Sequence, residues 1–261
     1  MTRLASSGML EIGSARLEYR MIGPQPHEAA TIVMLHEGLG SVAQWGTFPD
    51  DLARATGAGV FVYSRAGYGA SSAVPLPRPV TYMHDEAREV LPRVLDAIGF
   101  RRGLLVGHSD GASIAAIYAG SVQDHRVRGL SLIAPHFVVE DVSIASIEDA
   151  KRAYETADLK AKLARYHQDV DGAFRAWDIS EELAYIRVPV QIVQGGADQY
   201  GTLRQVEIAQ EECYCPVDVT VLPGVGHAPH REIPDAALNA VAEFANRILK
   251  VHGEGELRRA A

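Results

Sequence analysis

The stretch GLLVGHSDGASIAAIYAGS, residues 103–121, passes from a strand-like apolar run to a helix-like one across five residues, Gly107-His108-Ser109-Asp110-Gly111. A G-x-S-x-G at a strand-to-helix junction holds its serine in a strained backbone conformation that pushes the hydroxyl out of the sheet. The glycines two positions to either side let strand and helix approach without Cβ clashes, and Ala112 continues the run of small residues. The helix that starts here aims its first amides at whatever the serine attacks. Ser109 is therefore the candidate nucleophile, and the segment around it is one unit of a sheet covered by helices.

Further strands lie to either side. MLEIGSARLEYRMIG reads as a hairpin turning at Gly13-Ser14, and TIVMLH (31–36) and VFVYS (60–64) as buried strands. LSLIAP (130–135), PVQIVQG (189–195) and VDVTVL (217–222) bring the total to eight. Helical patterns fall between them at 82–98, 110–121, 202–212 and 235–251, with the closing HGEGELRRAA expected to fray. The expected fold class is α/β, an eight-stranded, mostly parallel sheet flanked by helices.

One section breaks the alternation. Between Pro135 and Pro189 there is no clear strand, and IEDAKRAYETADLKAKLARY is charged and helical, with Glu148–Arg152 and Asp158–Lys162 at i,i+4 spacing. Placed after the C-terminal end of a strand, such an insertion sits over the ligand-binding edge of the sheet. Residues 136–187 are read as a short helical cap on a core formed by 1–135 and 188–261. The alternative is a simple extension of the outer helical layer.

Composition excludes several classes of function. Apolar residues make up 47% and charged ones 22%, and the net charge of −8 comes without any basic block, which disfavours nucleic acid as a partner. No run approaches the ~18 apolar residues that span a bilayer, and the first twenty residues do not read as a secretory signal. A cytoplasmic protein acting on a small molecule, without nucleic acid or membrane and compatible with a homo-oligomer, is the expectation. Cys213 and Cys215 are too close in sequence for an ordinary disulfide, and the ten histidines show no metal-ligand spacing. Neither a metal nor a cofactor is expected.

A serine hydroxyl needs a base to take its proton. GHSDG (107–111), GGAD (195–198) and GHAPH (226–230), together with LHEGLG (35–40) and SRAGYGASS (64–72), resemble the α/β-hydrolase family in order and spacing over nearly the whole chain. Within that family the chain is similar to capped esterases and to the carbon–carbon bond hydrolases of aromatic-ring degradation. The resemblance implies Asp198 as the acid and His227 as the base, in the chain order serine, acid, histidine, with no metal or organic cofactor. Serine at the elbow argues against haloalkane dehalogenases and epoxide hydrolases, which carry aspartate there. Asp218 and His230 are the weaker candidates for acid and base. His108 is expected beneath the elbow, and His36 as an anchor of its loop.

The resemblance also implies an oxyanion hole from the amides of Asp110 and Gly38. Glu37 stands where glycine is common in the family, and Ser64 where aspartate is usual in the D-x-R-G-x-G-x-S loop. Two readings of Glu37 stay open: an outward carboxylate paired with an arginine such as Arg65, or a substrate contact that perturbs His227. His136, at the mouth of the cap, is the other candidate substrate contact. The expected activity is hydrolysis of a small-to-medium carboxylic ester through an acyl-enzyme. A ring-fission ketone, a lactone or a thioester is the alternative substrate, and a ligand receptor with little turnover is the rival of another class.

Overall fold

In the computed structural model, which describes residues 3–156 and 172–260, eight strands form one sheet in the order β1-β2-β4-β3-β5-β6-β7-β8. β1 (Ser7–Ile12) and β2 (Ala15–Ile22) are the expected antiparallel hairpin, and β2 pairs antiparallel with β4 (Gly59–Tyr63). From β4 the sheet continues in parallel through β3 (Thr31–Leu35), β5 (Gly103–His108), β6 (Val127–Ile133), β7 (Val190–Gly195) and β8 (Val217–Leu222). The central strands are buried on both faces, which is why they read as unbroken apolar runs.

Alternate residues of those strands feed two cores. Val33, Leu35, Phe61 and Leu105 point into one, where Ile114, Ile117 and Leu91 complete the packing. Ile32, Met34, Val60, Val62, Leu104 and Val106 point into the other, against Trp45, Leu52, Val241 and Phe244. The two-residue period of a strand sends one set to each face.

The helices fill the gaps between strands. α1 spans Phe48–Thr56, α4 Asp110–Ser121, α8 Arg204–Glu212 and α9 Pro229–Glu232. The last helix, α10, runs Pro234–Ala260, past the position where fraying was expected. The segment 82–98, expected as one helix, is instead α2 (Tyr82–Asp85), a π-helical turn (Glu86–Val90) and α3 (Leu91–Ala97). Pro92 accounts for the interruption. Its ring removes one N–H and crowds the carbonyl four residues back, and a wider turn relieves both.

Between β6 and β7 lie α5 (Asp141–Thr156), α6 (Gly172–Arg175) and α7 (Ser180–Leu183). Arg152 pairs with Asp149, three residues back. The expected Asp158–Lys162 pair lies outside the described residues. No helix among the described residues is long and apolar enough to cross a membrane.

Candidate active site

Ser109 sits between β5 and α4 with φ 53° and ψ −121°, a region that side chains other than glycine rarely occupy. The neighbours impose it. A Cβ on Gly107 would lie 2.3 Å from the Gly111 carbonyl oxygen, and one on Gly111 would lie 2.1 Å from that of Leu35. No side chain fits in either gap, so helix and strands close on each other and the backbone turns at position 109. The Ser109 amide is held by the Ile133 carbonyl at 2.9 Å, and its own carbonyl accepts from the Ala112 amide at 2.8 Å.

The loops after β7 and β8 bring Asp198 and His227 to this turn. Ser109 Oγ is 2.9 Å from His227 Nε2, and His227 Nδ1 lies 2.9 and 2.8 Å from the two oxygens of Asp198. A carboxylate only accepts, so the ring proton sits on Nδ1 and Nε2 is left to accept from the serine. Asp198 also accepts from the amides of Tyr200 (2.8 Å) and Gly201 (3.3 Å) and from Gln194 Nε2 (3.0 Å). Burial alone would raise its pKa. The hydrogen bond and charge of His227, with the Tyr200 amide, outweigh that and hold the carboxyl below the usual range. Asp218 is elsewhere, paired with Arg247.

Three further imidazoles surround His227. His108 Nε2 meets the His227 carbonyl oxygen at 2.8 Å, beneath the elbow as expected. The ring centroid of His136 is 5.4 Å from that of His227, and that of His230 lies edge-on 4.5 Å from His108 and tilted 4.8 Å from Trp45. Burial, and then neighbouring positive charge, lowers all three. His108 falls well below the ordinary value, His136 to about 4 and His230 to about 3.

On the other side, the loop after β3 runs past the serine. Gly38 and Asp110 line the same cavity as Ser109. The Asp110 carboxylate accepts from the Tyr82 hydroxyl and lies 3.7 Å from Arg65 Nη2. The pairing of Glu37 with Arg65 requires correction. Arg65 binds the Glu37 backbone carbonyl at 2.9 Å, whereas the Glu37 carboxylate lies 4.0 Å from Arg231. Glu37 also lines the cavity with His227, its side chain partly exposed. Burial raises its pKa, against the opposing charges of His227 and Arg231.

The cavity measures about 610 Å³. Its floor is the serine, His227 and the 37–41 loop, and Ile147, Phe174 and Trp177 from the segment between β6 and β7 supply an apolar wall. His136 also lines it. Gln194, Tyr82 and Arg65 were not singled out as site residues in the sequence. Gln194 left a signal, a polar residue closing the apolar run of β7 four residues before the acid. Tyr82 left none.

A family model described as alpha/beta hydrolase fold matches residues 30–157. Proline iminopeptidase from Lactobacillus helveticus is 25% identical over 156 residues, which is 60% of this chain and 51% of that protein. The chain thus spans about half the length of the curated relatives it matches. A membrane phospholipase A described as a bacterial virulence factor superposes with a TM-score of 0.80 at 19% identity, covering 93% of this chain and 86% of the other. Proline iminopeptidase from Mycobacterium smegmatis gives a TM-score of 0.74 at 19% identity over 95% of this chain and 100% of its own.

Proposed function

Because this chain belongs to the α/β-hydrolase fold superfamily, we propose that it is a serine hydrolase that cleaves a small-to-medium carboxylic ester through an acyl-enzyme. The observation that carries the reading is the 2.9 Å contact between Ser109 Oγ and His227 Nε2, backed by Asp198 on the far side of the ring.

The geometry translates into chemistry directly. Ser109 Oγ attacks the ester carbonyl carbon as Nε2 of His227 takes the hydroxyl proton. The resulting imidazolium is stabilised by the Asp198 carboxylate behind it. The amides of Gly38 and Asp110 receive the oxyanion. His227 then returns the proton to the departing alkoxide as the carbonyl–oxygen bond breaks, leaving the acyl-serine. Water enters, His227 again takes a proton, and the acid leaves with the serine restored.

Residues 136–187 act as a cap in this reading, since Ile147, Phe174 and Trp177 wall the cavity above the serine. About 610 Å³ is room for a substrate of small to medium size. Glu37 and His136 both line the pocket, which supports reading them as substrate contacts.

Fluorophosphonate labelling followed by peptide mapping tests the proposal, with Ser109→Ala as control. The expected label is on Ser109 alone, together with continuous turnover of p-nitrophenyl esters. Label on another residue, or none, overturns the mechanism. Turnover that stops after a few cycles favours a receptor instead.

A further inference from the structure

The two segments that carry the proposed oxyanion donors are held by one buried side chain. Arg65, in the loop after β4, has no solvent-exposed surface. Its Nη1 donates to the His36 carbonyl at 2.6 Å and its Nη2 to the Glu37 carbonyl at 2.9 Å. The same Nη2 lies 3.7 Å from the Asp110 carboxylate. The backbone amide of Arg65 donates to His36 Nε2 at 3.0 Å, so the His36 ring proton is on Nδ1, which donates to the Glu37 carbonyl at 2.6 Å. Burial, and then Arg65, holds His36 well below the ordinary histidine value, so the ring stays neutral with one nitrogen of each kind.

Three donors therefore converge on one oxygen, the carbonyl of Glu37: Arg65 Nη2, His36 Nδ1 and, from within the loop, the Gly40 amide at 3.1 Å. That carbonyl belongs to the peptide unit whose N–H is the Gly38 amide. In a planar trans peptide the two dipoles point in opposite directions. Anchoring the oxygen inward on Arg65 and His36 turns the Gly38 N–H away from them, and Gly38 lines the cavity beside Ser109. Donation to the oxygen also polarises the unit and strengthens its N–H as a donor.

We infer that Arg65 is a positioning residue for the oxyanion hole. Through the Glu37 carbonyl it orients and polarises the Gly38 amide, and through Asp110 it ties that donor to the residue after the nucleophile. The Tyr68 ring lies against the guanidinium, 5.2 Å from centroid to Cζ, and keeps it in place. The inference rests on the serine-hydrolase reading, with Gly38 and Asp110 as its oxyanion donors.

The test follows the rate at which an alkyl fluorophosphonate labels Ser109, because the phosphoryl oxygen enters the hole whatever the natural substrate is. Wild type, Arg65→Met and Arg65→Lys are compared, each checked for native fold by near-UV circular dichroism. Arg65→Met is expected to label about 10–10²-fold more slowly, in keeping with partial loss of one oxyanion donor. Arg65→Lys, able to reach one carbonyl, is expected to fall between. Inhibition by phenylboronic acid, which forms a tetrahedral anion on the serine, should weaken in the same order. A folded Arg65→Met that labels at the wild-type rate overturns the inference. If Arg65→Met does not fold, a wild-type rate for Arg65→Lys does the same. A wild type that does not label at all is a different result, because it overturns the serine-hydrolase reading itself.

Discussion

The two flanks of Ser109 handle charge in opposite ways. Toward β7 and β8 the serine faces His227, with His108, His136 and His230 packed around it, and burial keeps those three unprotonated. Toward β4 it faces Arg65, Tyr82 and Asp110. There burial alone would weaken the guanidinium, but Tyr68, Asp110 and Glu86 hold it above its ordinary range. In the proposed mechanism one flank moves a proton on and off a single imidazole. The other is arranged so that no proton moves, and a fixed charge holds the backbone in place. On that reading, a proton relay and a preorganised electrostatic site stand side by side, built from residues of opposite titration behaviour.

Four measurements strain that contrast. The largest effect is expected from removing the mobile proton: His227→Gln should lower kcat/KM for a p-nitrophenyl ester by about 10⁴-fold or more, read by steady-state kinetics. Acid is next. Between pH 6.5 and about 4 for His136, and down to about 3 for His230, the unfolded chain binds protons that the folded chain does not. Stability is then fully present about a unit above pH 6.5 and falls as the pH drops through that window, by about 2 kcal/mol for each histidine, or about 4 kcal/mol together, at pH 5 relative to pH 7. Urea midpoints measured across the range check this, and His230→Phe should flatten the slope.

On the fixed-charge flank, Tyr82→Phe removes the hydroxyl that donates to Asp110 and leaves a buried carboxylate short of one partner. A loss of about 1–2 kcal/mol is expected from thermal denaturation, with no change in the pH dependence of kcat. The smallest effect belongs to Glu37, where the flanks meet. Its carboxylate attracts the His227 imidazolium, so Glu37→Gln should move the acid limb of the kcat/KM profile to lower pH by about half a unit. An unmoved limb would leave Glu37 as a wall of the pocket whose charge does not reach the base.

How much of this was legible in the sequence depended on what each residue touches. The strands were, because burial on both faces selects apolar runs such as TIVML and GLLVGH. The meeting of Ser109, Asp198 and His227 was, because each follows a strand end that the parallel sheet gathers on one edge. Arg65 was legible only as a charge. Its partners are mainly backbone carbonyls, and a carbonyl leaves no trace in residue identity, so the natural expectation paired it with the carboxylate of Glu37. His108 was legible beneath the elbow, but its packing with His230, and the approach of His136 to His227, were not, since the three come from separate loops and strand ends. The break at 86–90 was foreshadowed by Pro92, though not its form as a π turn.

The backbone at Ser109 has one more consequence. Its unusual φ is set by the contacts of Gly107 and Gly111, not by the serine side chain. The elbow is thus a socket that presents whatever small side chain is fitted to it at the same point in front of His227. A thiol placed there inherits the position without rebuilding the fold, so Ser109→Cys should keep the wild-type melting temperature while changing its reactivity from that of an alkoxide to that of a thiolate. Alkylation by iodoacetamide would report the change. The chain would then serve as a scaffold for nucleophiles its own sequence never used.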